Sequence, residues 1–411
     1  MKGQSNTPRT RSADGTGHGR WVPATVLFAV GTFAIGTDSF VLAGILPQLA
    51  HGLKVSEGAA GQVVTVFAIT YAIAAPFLSV LTQRLPRKTL ILVALGLFAV
   101  GNVASALSPT LTLLLISRVA TALGAASFTP TANAAAATLA GPAHRGRALS
   151  VVLGGIALGT VLGVPAGTAI GQNIGWQGSL LLVAALGVVA LVAIAVVLRP
   201  LSGEAQLPIR DRFAVMAQGP VLLVVGVTAL ATGSGIMVYT YIAPILSGTA
   251  NVSGSALAVF LLVWGVGGAV GAFGSGWLTE RIGAGYTSAL SITLLAIALA
   301  GIAFVPDLAV VMALAFIGGV GSWGFVAPDN HMLTGMHPKT PSVVIAFNST
   351  GTYAGQAVGA GVGGALITAG VAGPVMCIAA SAGLLAAAAL ALVARRVTSL
   401  VEARSTEDLG S

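Results

Sequence analysis

The sequence has little charge, few aromatic residues and a single cysteine among its 411 residues. Charged residues make up 7% of the chain, whereas a soluble domain has about 25%, so the composition excludes an ordinary globular cytosolic protein. The single cysteine, Cys377, excludes an internal disulfide bond and fits a small buried side chain in an apolar run. Because no Gly-Lys-Ser or Gly-Lys-Thr triplet occurs, the sequence offers no phosphate-binding loop for an ATP-driven pump.

Apolar residues dominate the chain: 56% of it is hydrophobic, and the mean hydropathy is +0.95. A bilayer core needs about 20 apolar residues for each crossing helix. The low aromatic content and the 55 glycines indicate helices that pack through small residues. Twelve segments are long enough to cross, and we number them spans 1 to 12: 22–46, 58–82, 89–107, 110–138, 148–171, 176–198, 219–246, 255–279, 286–305, 308–331, 342–368 and 373–394.

The longest break between spans divides the twelve spans into two groups of six, and it is rich in proline and arginine. The sequence therefore predicts an all-α membrane protein with twelve transmembrane helices in two parallel six-helix repeats. We predict five parts: an N-terminal tail at 1–21, an N-terminal six-helix bundle at 22–198, a linker at 199–218, a C-terminal six-helix bundle at 219–394 and a C-terminal tail at 395–411.

The distribution of basic residues predicts the orientation in the membrane. Of 19 Lys and Arg residues, only Lys54 lies in an odd-numbered loop and only Arg118 lies inside a span. The others lie in the tails and the even-numbered loops, which the positive-inside rule places in the cytoplasm together with both termini. The same rule explains the net charge of +8 without a nucleic-acid partner.

Glycines recur at every fourth position in span 5, and a second such series occurs in span 11. The first series is Gly155, Gly159, Gly163, Gly167 and Gly171, with Pro165 inside it. Its last four members match a series 192 positions later: Gly351, Gly355, Gly359 and Gly363. Glycines four apart leave a smooth stripe on which another helix packs closely, and a proline bends its helix. The repeat predicts a duplicated architecture whose first copy is bent.

Three ionisable residues lie inside the predicted spans: Asp38, Arg118 and Asp329. A charge in hydrocarbon costs about 2.5–3.5 kcal/mol even on insertion scales, so each one needs a partner or a wet cavity. At a rise of about 1.5 Å per residue, Asp38 and Arg118 differ in depth by about 6 Å, which a long Arg side chain can bridge. The two residues form either a structural pair between spans 1 and 4 or a switch that exchanges a proton. Asp329 falls near the inner boundary, where a solvated helix end explains it.

Polar and aromatic residues inside the spans are candidates for lining a cavity, although each is individually more typical of helix packing. As a set they predict a mostly apolar cavity with few hydrogen-bonding groups, which suits a lipophilic compound better than a sugar. The sequence predicts neither a cofactor nor a metal site, because the histidines lack metal-ligand spacing. The candidates are Phe67, Tyr71, Asn133, Tyr239, Tyr241, Asn348 and Tyr353.

Several runs resemble motifs of one family. Residues 36–47, Gly-Thr-Asp-Ser-Phe-Val-Leu-Ala-Gly-Ile-Leu-Pro, resemble the first-helix signature of major facilitator drug:proton antiporters, in the branch of chloramphenicol exporters and arabinose-efflux-type permeases. Residues 155–167 resemble the antiporter motif of helix 5, and residues 114–118 resemble the helix-4 motif that ends in an arginine. Two loops resemble the family's gating motif; the first lacks its acid but keeps basic residues, and their matching residues are Arg84, Arg87, Lys88, Glu280 and Arg281.

The resemblance implies a non-enzymatic secondary exporter that exchanges protons for a small, lipophilic compound such as a chloramphenicol-like antibiotic. In that interpretation Asp38 is the protonation switch and Arg118 is its electrostatic partner. A close-packed hinge surface that limits leak is formed by Gly155, Gly159, Gly163, Pro165 and Gly167, and the kink at Pro165 is expected at the interface between the halves. The expected setting is the cell inner membrane, with the protein as a monomer in the lipid bilayer. Two alternatives stay open: a transporter of a sugar, nucleoside or other metabolite with different coupling, and a membrane sensor or scaffold that transports nothing.

Overall fold

The computed structural model describes residues 21–82, 85–198, 216–337 and 340–410, and these residues form helices with no β-strand among them. Eleven of the long helices in the described residues are apolar enough to cross a membrane; α11 has 28 residues but is more polar. The long helices are α1 Trp21–Leu53, α2 Glu57–Leu81, α3 Arg87–Ala106, α4 Leu111–Gly141, α5 His144–Asn173, α6 Trp176–Val197, α7 Gly219–Tyr239, α8 Gly254–Ile282, α9 Ala284–Ile302, α10 Leu308–Met336, α11 Pro341–Thr368 and α12 Gly373–Gly410.

The helices follow the twelve predicted spans in number and order, with different ends. Most of the predicted N-terminal tail and linker, and the gating-loop residue Arg84, lie outside the described residues. The final helix continues to Gly410, so residues predicted as a tail extend α12 as helix. The chain after α7 breaks at Tyr241 and continues as a short helix, Ile242–Ala250, and α10 bends at Phe325.

Helix α5 departs from regular α-helical geometry next to Pro165. The backbone forms a wider π-helical turn over Gly159–Gly163, directly before Pro165. Proline has no N–H group and its ring crowds the carbonyl group four residues earlier, so an ordinary α-helical turn does not fit there. The π turn relieves that crowding and keeps the helix continuous.

The two glycine series lie along the seams between helices of the same half. The residues of α5 that face α1 are Gly155, Gly159, Gly163, Gly167 and Gly171, which meet Ala29, Phe33, Thr37, Val41 and Ile45 in turn. The second series meets α7 in the same register: Gly351, Gly355, Gly359 and Gly363 face Val225, Ala229, Gly233 and Met237. A Cβ atom at Gly159 would lie 2.5 Å from the Phe33 carbonyl oxygen, so only glycine allows this approach. The sequence repeat therefore corresponds to a duplicated helix pair.

The two halves meet through α2 against α11 and through α5 against α8. One hydrophobic core joins both halves, and its residues lie mainly toward the predicted outer end, where Leu46 of α1 and Leu246 after α7 belong to it. Toward the predicted cytoplasmic end the core is divided into a cluster around Phe98 in the N-terminal half and a smaller one around Leu333 in the C-terminal half. The described conformation is therefore closed at the predicted outer end.

Candidate functional site

Asp38 of α1 and Arg118 of α4 form a buried ion pair. The Arg118 Nη1 atom donates to Asp38 Oδ1 at 2.8 Å, and Nη2 donates to Oδ2 at 2.9 Å. Both side chains are fully buried. Two parallel N–H donors on one carboxylate give the strongest and most directional form of this interaction. Asp38 and Arg118 thus each have the oppositely charged partner that burial demands.

Close helix packing positions the Asp38 carboxylate. Gly36, two residues before it, lies against the Ile156 carbonyl group, from which a Cβ atom would be 2.7 Å away. The Thr37 hydroxyl donates to the Phe33 carbonyl group at 2.9 Å and also contacts Gly163. The glycine seam with α5 therefore fixes the segment of α1 that carries Asp38.

An aromatic cluster, defined by Phe67, Tyr71 and Tyr353, covers the ion pair. The Arg118 guanidinium carbon lies 4.7 Å from the centre of the Phe67 ring, a cation–π arrangement. The rings of Tyr71 and Tyr353 stack with their centres 3.6 Å apart. Phe67 and Tyr71 belong to α2, whereas Tyr353 belongs to α11 in the other half. The cover over the ion pair is therefore assembled across the boundary between the halves.

A cavity of about 100 Å³ lies between the halves, lined by residues of both. Its aromatic walls are in mutual contact: the Phe40 ring centre lies 5.9 Å from both Tyr239 and Trp323, and Tyr239 lies 5.4 Å from Trp264. The polar residues that reach it are Thr160, Thr232, Ser322, Thr352 and Gln356. Apolar surface with a few hydrogen-bonding groups is typical of a site for a small organic molecule. Phe40 lies two residues from Asp38, so α1 links the cavity to the ion pair.

The predicted cavity residues separate into different places. Tyr239 lines the cavity, and Phe67, Tyr71 and Tyr353 form the aromatic cluster. Tyr241 is fully buried, contacts Gly61 of α2 and donates to the Ala360 carbonyl group at 2.9 Å. The remaining two are amides: Asn348 donates to Asn330 Oδ1 at 2.9 Å, and the buried Oδ1 atom of Asn133 has no hydrogen-bond partner. Sequence reasoning missed Trp264, Trp323 and Gln356, because tryptophans and a single amide in apolar spans look like packing residues.

Helix α5 meets the second half through a different face from the one that carries the glycine series. The glycine series faces α1 within the N-terminal half, and its role as a hinge surface stays a prediction. The cross-half contact is made by the π turn: a Cβ atom at Gly265 of α8 would lie 2.7 Å from the Val161 Cα atom and 2.8 Å from the Thr160 carbonyl oxygen. Pro165, which follows this turn, is half-buried. A helix face opposite the glycines thus meets the second half.

The basic residues at the start of α3 brace the ends of neighbouring helices. Arg87 donates to Thr138 Oγ1 of α4 at 2.8 Å, and Lys88 donates to the Ala195 carbonyl group of α6 at 2.8 Å. A cation at the C-terminal end of a helix also interacts favourably with the helix dipole. In the second copy, Arg281 stacks on Trp277 at 3.9 Å and Glu280 is exposed.

The expectation that Asp329 is a solvated helix end is wrong. Its side chain is fully buried, with the Thr228 hydroxyl 2.7 Å from Oδ2 and the Ser288 hydroxyl 2.7 Å from Oδ1. The error comes from the end of span 10, since α10 continues to Met336 instead of stopping at residue 331. Seven further residues at about 1.5 Å each place Asp329 about 10 Å inside the helix end. The hydroxyl residues on the facing helices were the available signal for this position.

Two six-helix repeats with a largely apolar cavity and a buried ion pair define a multi-pass membrane transporter. The sequence model of the Major Facilitator Superfamily matches residues 28–340. The chain belongs to this family.

Curated relatives agree with this membership. The chain is 30% identical over 344 residues to the inner membrane transport protein YdhP of Escherichia coli (strain K12), a match that covers 84% of this chain and 88% of the relative. It is 29% identical over 342 residues to the uncharacterized MFS-type transporter YbcL of Bacillus subtilis (strain 168), with 83% and 88% covered. It is 31% identical over 261 residues to a chloramphenicol resistance protein of Streptomyces lividans, with 62% and 66% covered.

Proposed function

We propose that this transporter is a proton-coupled exporter of small, lipophilic compounds, with Asp38 as the group that takes up and releases the proton. The observation that carries the proposal is the Asp38–Arg118 pair, fully buried and bonded through two hydrogen bonds. A purely structural contact of this kind is rarely favourable in a membrane, because burying two charges costs about as much as their attraction returns. Ionisable residues inside membrane helices are by default functional.

Protonation of Asp38 changes the contact that holds α1 to α4. The ionised carboxylate accepts from both terminal nitrogens of Arg118, whereas a protonated carboxyl group has one oxygen occupied by its own proton. Arg118 then loses one of its two hydrogen bonds to Asp38. Since its guanidinium group lies over Phe67, and Phe67 contacts Tyr353 of the other half, this change reaches the boundary between the halves. Proton binding and rocking of the two halves are coupled through that contact.

The chemistry of the cavity supports a lipophilic substrate. Phe40, Tyr239, Trp264 and Trp323 give it aromatic walls, and no charged residue lines it among the residues that the structure describes. Hydrogen-bonding groups come from five Thr, Ser and Gln side chains, the Tyr239 hydroxyl and two indole N–H groups. They are set in a mostly apolar surface, which suits a lipophilic compound better than a sugar or nucleoside. The name of the Streptomyces relative points the same way and suggests chloramphenicol as a first compound to test.

The membrane setting is proposed from the charge distribution. Both termini and the even-numbered loops are rich in Lys and Arg, which the positive-inside rule favours on the cytoplasmic side. Export would then run from the cytoplasmic end, where the hydrophobic core is split between the halves, to the outer end, where one core joins them. The name of the Escherichia coli relative is consistent with the cell inner membrane. The cavity and ion pair are complete within one chain, which supports a monomer as the transporting unit.

A growth assay tests this function. Cells that express the chain are expected to grow at higher concentrations of chloramphenicol or another lipophilic antibiotic than cells without it, and Asp38→Asn is expected to remove that advantage at equal membrane expression. Asp307→Asn is the matched control, because Asp307 is an acid at an exposed helix start, where it caps the Val310 N–H group. Equal resistance with Asp38→Asn would contradict the coupling role. No protection in a broad antibiotic panel would favour a metabolite transporter or a sensor.

A further inference from the structure

Asp329 is a second buried acid, and it stands in a different chemical setting from Asp38. Its two carboxyl oxygens contact the hydroxyl groups of Thr228 on α7 and Ser288 on α9, each at 2.7 Å. In contrast to Asp38, neither of these partners is a cation. An ionised carboxylate that is fully buried without a positive partner is costly, and such groups take up a proton instead.

The charged and titratable groups on the helices around Asp329 are engaged elsewhere. Arg395 of α12 stacks on the Tyr286 ring of α9 at 3.9 Å, and Arg281 of α8 stacks on Trp277. Beyond α10, partial burial lowers the pKa of His337, which favours its neutral form. The described parts of α7 and α11 contain no Lys, Arg, His, Asp or Glu. Among the side chains that the structure describes, the remaining charged and imidazole groups on the packed helices are exposed: Glu280 of α8, His331 of α10 and Arg396 of α12.

The two hydroxyl groups suit an acid that gains and loses a proton. A hydroxyl group both donates and accepts, so the ionised form of Asp329 receives two hydrogen bonds. In the neutral form one hydroxyl group donates to the carbonyl oxygen of the acid and the other accepts from its O–H group. A guanidinium group only donates and cannot make this exchange. The site is therefore hydrogen-bonded in both protonation states.

The geometry favours a proton over a metal ion as the ligand. Each hydroxyl oxygen touches a carboxyl oxygen at hydrogen-bonding distance, and an ion held between them would need that space. Among the described residues there is also no group of three or more His, Cys, Asp or Glu side chains arranged to hold a metal.

The position of Asp329 relates it to transport. It lies one helical turn after Phe325 and Val326, which line the cavity, and Thr228 lies one turn before the cavity residues Ala231 and Thr232. Toward the predicted cytoplasmic end it is covered by the apolar cluster of Val221, Val224, Val225, Met332, Leu333, Val344 and Ala394. Asp329 thus lies between the cavity and an apolar seal of the C-terminal half.

We infer that Asp329, with Thr228 and Ser288, is a second proton-binding site in the C-terminal half, occupied by a proton in this conformation and able to release it. The occupancy is independent of the function proposed for Asp38. Only a role of this proton in export would rest on that function.

Infrared spectroscopy of the full-length protein in lipid tests the inference without any substrate. At neutral pH the protein is expected to show the C=O band of a neutral carboxylic acid, retained in Asp38→Asn and Asp307→Asn and absent in Asp329→Asn. Raising the pH is expected to remove the band reversibly while the protein stays folded. An unchanged band in Asp329→Asn would overturn the assignment, and a band that persists until unfolding would show a permanently neutral structural acid.

Two further variants keep the test decisive if Asp329→Asn does not fold. Ser288→Ala and Thr228→Val retain the acid and each remove one hydrogen bond, so the C=O band is expected to move in frequency. A band that stays in place in both variants comes from another residue and contradicts the inference. The infrared band tests Asp329, whereas proton movement during transport by Asp38→Asn tests the proposed function. Either proposal can therefore fail without the other.

Discussion

The Thr160 carbonyl group in the π turn of α5 lies against Gly265 of α8, and this contact joins the two halves of the transporter. The widened turn that accommodates Pro165 is therefore also a place where the second half approaches α5 closely. One face of α5 packs on α1 through the glycine series, and another face carries the contact with α8. A single helix thus connects the segment that holds Asp38 to the opposite half.

A side chain at Gly265 should displace the halves from this conformation. In Gly265→Ala the new Cβ atom meets backbone atoms of Val161 and Thr160 at 2.7 and 2.8 Å, which cannot move away as a flexible side chain can. We expect the contact between α5 and α8 to open and the distance between spin labels placed across it to increase. Gly274→Ala in the same helix is the control, since nothing lies within 4 Å of its Cβ position. Unchanged distances in Gly265→Ala would show that this contact does not fix the conformation.

The glycine seam gives a prediction with a neighbouring control. In Gly155→Ala the Cβ atom would contact the Ala29 carbonyl oxygen and the Thr32 side chain, so α1 and α5 must separate. We expect a loss of stability of about 1–3 kcal/mol, as for other overpacked sites. Gly154→Ala, with nothing within 4 Å, should be close to neutral. The thermal unfolding temperatures of both variants in the same detergent measure the difference. Equal temperatures would contradict the close packing of α1 on α5 at Gly155.

The ion pair should show strong energetic coupling. Asp38→Asn leaves the Arg118 charge buried without its partner and should cost about 3–5 kcal/mol. Asp38→Asn combined with Arg118→Met removes both charges and should recover much of that loss. Denaturant unfolding of the two single variants and the double variant gives the coupling energy. Additive losses would mean that the two side chains do not stabilise each other.

Lys88 should contribute to stability through the end of α6. Its amino group donates to the Ala195 carbonyl group at 2.8 Å, and a hydrogen bond from a charged donor contributes about 1.5–3 kcal/mol. Lys88→Ala should lower the unfolding free energy accordingly. Arg281→Ala removes only a stacking contact on a half-exposed Trp277 and should cost less than about 1 kcal/mol. The reverse order of the two losses would contradict the bracing role.

Regular features of the sequence were sufficient to predict the fold. Hydrophobic length gave twelve helices, and the glycine spacing gave the duplicated seams, because both depend on local composition and on a period of about four residues. The partner of Asp38 was also predictable, since depth along a helix follows from residue counting. The side of each helix that faces the cavity was not predictable from the sequence. Which residues meet the cavity depends on helix rotation and tilt, so Trp264 and Trp323 were missed and Tyr241 was misplaced.

The depth of Asp329 within the protein was also not predictable from local sequence. A polar stretch after residue 331 suggested the end of the membrane, but burial of that stretch against α7, α9 and α12 extends the packed helix to Met336. Tertiary packing, which no local pattern reports, placed the acid inside the protein.

Proton flux in vesicles that contain the purified protein tests the coupling of export to Asp38 most directly. With substrate applied as a gradient, wild-type protein is expected to move protons in the opposite direction, read by a pH-sensitive dye inside the vesicle. Asp38→Asn should bind the same substrate and move no protons, whereas Asp307→Asn should behave as wild type. Substrate transport by the wild-type protein without any proton movement would contradict the proposed exchange.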